Sequence, residues 1–142
     1  MNICAGMDHW MCGRDAEALP WMAQWTRNPW PKKVVWVQDD VVHNRFYWIS
    51  LPDTVKPEQG QMITAEVDEQ NIHISTSEGI RQLTLCLSDA LLDLDQPITV
   101  DIKNHGQVFH GRIPRTEHAI EDSLRHRADP TCVATAYLEL SW

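Results

Sequence analysis

This chain is poor in the features that mark most function classes. Its four cysteines, Cys4, Cys12, Cys86 and Cys132, form no C-x-x-C pair. Four in 142 residues is too few for a disulfide framework, so free thiols are expected; only Cys4 and Cys12 are close enough in sequence to bridge readily. No apolar run approaches the ~18 residues of a membrane span. Met1 is not followed by a charged segment and an apolar h-region, so no leader is read. Basic stripes are missing as well. With 12 Lys and Arg against 20 Asp and Glu the formal net charge is -8, which argues against nucleic acid and against anionic membranes. There is no G-x-S-x-G elbow to present a serine and no H-E-x-x-H to hold zinc. No cofactor is expected.

What is present divides at Arg27-Asn28-Pro29-Trp30-Pro31. Residues 1–31 read as a loop followed by a helix over Ala16–Trp25, with Ala18, Trp21, Met22 and Trp25 at three-and-four spacing. Pro20 is tolerable only in a first turn, and Pro29 and Pro31 force an extended connector. Residues 32–142 read as a β-domain. Val34–Val37 and Arg45–Leu51 are expected to pair as strands, with Trp36 and Trp48 as core or cross-strand partners. Alternation continues through Ile63, Ala65 and Val67, then Ile72 and Ile74, then Leu83, Leu85 and Leu87. Ile98–Lys103 alternates most cleanly, and Asn104-His105-Gly106 turns it into Gln107–Ile113. Thr116 can cap a crossover helix to about His126 with Ile120 and Leu124 on its buried face, and Cys132–Leu140 closes the domain. Roughly eight short strands linked by turns predict a mainly β fold, an antiparallel immunoglobulin-like sandwich, with a jelly roll as the alternative.

Chemistry is sparse. His9, in Met7-Asp8-His9-Trp10, is the one tempting base, with Asp8 or Asp15 as orienter, yet no nucleophile accompanies it. The other histidines, His43, His73, His105, His110, His118 and His126, lack metal-ligand spacing, and no metal site is expected. Asp89, Asp93 and Asp95 lack the glycine and the twelfth-position acid of a calcium loop and read as solvated. Tryptophan is the abundant residue: six of seven lie at or before position 48. Trp21, Trp25 and Trp30 therefore form a candidate surface, either for packing between domains or for stacking on sugars as in carbohydrate-binding modules. The short, proline-stiffened connector favours a helix folded back on the sandwich, and a face left open would favour a symmetric dimer.

Several blocks carry a resemblance. Gly6-Met7-Asp8-His9-Trp10, Ala18-Leu19-Pro20-Trp21-Met22 and Arg27-Asn28-Pro29-Trp30-Pro31 resemble the end of a bacterial α/β-hydrolase domain of the esterase- or peptidase-like kind that carries an extra C-terminal β-domain. Phe46-Tyr47-Trp48-Ile49, Leu91-Leu92-Asp93-Leu94-Asp95, Val108-Phe109-His110-Gly111 and Arg127-Ala128-Asp129-Pro130 continue the likeness. The resemblance implies that His9 matches the catalytic histidine of a parent enzyme whose nucleophile and acid lie outside this chain, which is then inactive alone. It also implies a hydrolase domain as partner, or self-association through the tryptophan-rich helix, in a secreted or periplasmic setting.

Overall fold

The computed structural model describes Gly6, Gly13 and residues 16–142. His9, Asp8, Asp15, Cys4 and Cys12 lie outside the described residues. Nine strands and two α-helices follow in the order α1 (Ala18–Met22), β1 (Lys33–Val37), β2 (Arg45–Phe46), β3 (Ile49–Ser50), β4 (Met62–Asp68), β5 (Asn71–Glu78), β6 (Gln82–Leu87), β7 (Ile98–Ile102), β8 (Gly106–Gly111), α2 (Glu117–Arg127) and β9 (Ala136–Ser141). They build a five-stranded sheet in the order β1-β4-β5-β7-β8 and a four-stranded sheet in the order β2-β3-β6-β9. The protein is mainly β.

Side-chain alternation explains the core. In β1 only Val34 and Trp36 turn inward; in β4 Ile63, Ala65 and Val67 do, and in β7 Ile98, Val100 and Ile102. They meet Ile49, Leu83, Leu85, Leu87, Ala136 and Leu140 of the smaller sheet in one hydrophobic cluster. The hairpin from β7 to β8 turns where expected, with Asn104 at φ 70° and Gly106 at φ 74°.

Four expectations are corrected. Arg45–Leu51 is a tight hairpin and not one strand: Phe46 pairs Ile49 around Tyr47 and Trp48. Tyr47 takes φ 51°, a left-handed backbone rarely adopted by a bulky residue. Trp36 lies in β1 and Trp48 in the turn between β2 and β3 of the other sheet, both buried, and the ring stacked on Trp36 is that of Phe46, 6.1 Å away. Secondly, the fold is not wholly antiparallel, because β5 and β7 run parallel from Asn71↔Thr99 to Ile74↔Ile102. A parallel pair needs a crossover, and here β6, in the opposite sheet, supplies it in place of a helix.

Thirdly, α2 buries Ala119 and Ser123, while Leu124 is 41% exposed. Its N-cap is as expected, with Thr116 Oγ1 accepting from Ala119 N at 3.1 Å. A ridge of small residues lets the returning chain come close: Ser123 Oγ accepts from Ala134 N at 2.9 Å and donates to the Cys132 carbonyl at 3.4 Å. Bulky Ile120 and Leu124 could not permit that approach. Finally, α1 does not fold back. It is five residues long and buries none of them. The chain is steered instead by Asn28, whose Oδ1 accepts from Trp30 N at 2.9 Å, and by an ion pair from Arg27 to Asp129. Trp30 thereby enters the core, its Nε1 donating to the Thr131 carbonyl at 3.2 Å.

Candidate functional site

Two surfaces merit a functional reading, and they adjoin in the chain. The first is α1 and the residues after it. Trp21 and Trp25 are 60% and 68% exposed, their ring centroids 5.9 Å apart and tilted by 56°. Leu19 and Met22 on the same short helix are exposed too. The hydrogen bonds described for this segment are local, such as Trp25 N to the Met22 carbonyl at 3.0 Å and Gln24 Nε2 to the Pro20 carbonyl at 3.2 Å. Of the three tryptophans singled out from the sequence, the structure thus brings two together on the surface. Trp30 leaves the group and serves the core.

The second surface begins two residues after Trp25. A cavity of about 380 Å³ is lined by Arg27, Arg45, Phe46, Tyr47, His126 and Arg127. Asp122 ties together two of its lining residues, Arg45 and His126. Its Oδ2 accepts from Tyr137 Oη at 2.8 Å and from Arg45 Nη2 at 3.3 Å, and its Oδ1 lies 3.2 Å from His126 Nε2. Burial opposes the charge of Asp122, but the Tyr137 hydroxyl and the Arg45 charge outweigh it and hold the carboxyl below the usual range. Burial and the bond to Asp122 push the Tyr137 phenol upward. Beneath, Cys86 is a buried free thiol, raised by burial and 3.5 Å from Ser50 Oγ. Cys132 is likewise free and buried, with Arg127 Nη1 3.1 Å from its Sγ.

None of these groups pairs a nucleophile with a base. Sequence reasoning missed the cavity because Arg45 and Arg127 are 82 positions apart and nothing local links them. Of the aspartates weighed for calcium, Asp89 and Asp95 grip Arg115, at 2.5 Å from Nη2 and 2.7 Å from Nη1. These bonds hold both carboxyls below the usual range. Asp93 Oδ1 instead accepts from Asp95 N at 2.8 Å, so this loop is closed by a guanidinium. Among the described residues no group of three or more His, Cys, Asp or Glu could hold a metal ion. Among the histidines, His110 has its Nδ1 3.1 Å from Thr99 Oγ1. No described helix is long and apolar enough to cross a membrane. No family model matches the chain, and neither does any curated protein or solved structure.

Proposed function

We propose that this chain is a non-catalytic accessory β-domain that docks onto a hydrolase-like domain through the tryptophan face of α1. The observation that carries the reading is the exposed pair Trp21 and Trp25, in contact at the end of a helix that buries none of its own residues. Two indoles left in water are costly, since each offers roughly 150–250 Å² for burial, and their apolar neighbours Leu19 and Met22 extend the same surface. A packing partner is the chemistry this face suits. The motifs around His9 and Pro29 resemble the end of an α/β-hydrolase, which supplies the identity of the partner and the reason for a lone histidine. The immunoglobulin-like assignment belongs to this reading. Two sheets around one core support it, and the parallel β5–β7 pair departs from it.

A carbohydrate-binding module is the second reading, favoured by the same indoles. Their 56° tilt is against it, because a flat platform for a sugar ring wants aromatic faces that are coplanar. Two assays separate the readings. Purified protein should be left in the supernatant by cellulose, chitin and xylan; retention that Trp25→Ala abolishes would establish the sugar reading. It should also turn over no activated ester above a His9→Ala control, and a rate that collapses in that variant would make the chain an enzyme.

A further inference from the structure

The cavity beside α2 carries more positive charge than its surroundings cancel. Arg27 is matched by Asp129, and Arg45 and His126 share Asp122. Arg127 has no carboxylate partner among the described residues: it donates to the Tyr47 carbonyl and to Cys132 Sγ, both neutral acceptors. A guanidinium has five N–H donors, these two contacts use two of them, and Arg127 lines the cavity. The chain as a whole has a formal net charge of -8, so three arginines converging on one hollow run against its electrostatic background. One wall is aromatic, with Phe46 and Tyr47 packed edge to face at 4.9 Å. Tyr47 forms that wall from a backbone at φ 51°, and the Arg127 bond to its carbonyl pins it there.

We propose that this cavity binds a small organic oxyanion, a carboxylate or phosphate monoester on an aromatic or apolar body, with Arg127 as its principal anchor. With one N–H of Nη1 and one of Nη2 committed to Cys132 and Tyr47, the remaining N–H groups of Arg127 donate to the ligand oxygens in charge-assisted hydrogen bonds. Arg27, more exposed, closes over the outer side, and Phe46 with Tyr47 takes the apolar body.

The test is an NMR titration of the whole chain at low salt with phenyl phosphate, benzoate and inorganic phosphate, reading the His126 ring and the arginine side-chain signals. Saturable binding of phenyl phosphate or benzoate is expected, weakened about tenfold or more in Arg127→Gln, as for a lost bond between charged groups. Arg115→Gln, whose partners are Asp89 and Asp95, should leave the affinity unchanged. Which probe binds tighter identifies the head group, and inorganic phosphate should bind weakest. Should Arg127→Gln fail to fold, Arg27→Gln replaces it, with an expected loss of roughly threefold for an exposed charge. No saturable shift up to tens of millimolar, affinity unmoved by the folded variant, or equal binding of all three probes would overturn the proposal.

Discussion

Asp122 shows how much of this fold rests on single polar groups. One carboxylate, with a side chain 16% exposed, binds a tyrosine, an arginine and a histidine drawn from α2, β2 and β9. Asp122→Ala should therefore lower stability by about 1–3 kcal/mol in urea unfolding, since it strands a half-buried guanidinium and phenol. The pH dependence has a definite sign. The folded carboxyl titrates below the unfolded one, so its stabilisation is full above the unfolded value near ~4 and fades as pH falls through the folded value. The difference between wild type and Asp122→Asn should accordingly shrink in acid, and a gap that widens below pH ~4 would contradict the assignment. Tryptophans divide just as sharply. Trp30→Ala should cost about 3–5 kcal/mol as a core truncation, whereas Trp21→Ala with Trp25→Ala together should move the melting temperature little. Equal losses from both would mean that α1 packs on the sandwich.

At the scale of elements, the sandwich and its leading segment join through residues 27–31 and not through α1. Arg27 reaches Asp129, Trp30 reaches Thr131, and Trp48 Nε1 donates to the Pro31 carbonyl at 2.7 Å. A chain beginning at Arg27 should thus unfold cooperatively, close to the stability of the whole protein. One beginning at Pro31 loses Trp30 and should be weaker by roughly 3–5 kcal/mol. Matching denaturant midpoints for the two would refute this view of the seam. The strands that were legible in the sequence are those with a wet outer face, such as Ile98–Ile102, where period-two alternation records one buried side. Illegible were features decided by contacts far along the chain. Nothing local in Arg45–Leu51 announces a hairpin, because Tyr47 has no glycine-like freedom and its φ is held by Arg127. The buried face of α2 is illegible in the sequence for a related reason. Hydrophobicity pointed to Ile120 and Leu124, while close approach of Cys132–Ala134 selects Ala119 and Ser123.

The described residues present a closed core and an exposed apolar segment around α1. The packing between sheets accounts for Trp36 and Trp48 without reference to any partner, and the pattern of alternation made most of that core readable. The candidate site was readable only in part: Trp21 and Trp25 followed from helical spacing, Trp30 did not follow, and the arginine cavity had no signature. The exposed indoles lie outside the hydrophobic core, which is why the proposed role for them is association. The most direct measurement is size-exclusion chromatography with light scattering on this chain mixed with an α/β-hydrolase domain of the proposed esterase- or peptidase-like kind. The account predicts a one-to-one complex that Trp21→Ala with Trp25→Ala abolishes while leaving each component folded. Separate elution of the two proteins, or a complex indifferent to both substitutions, would contradict it.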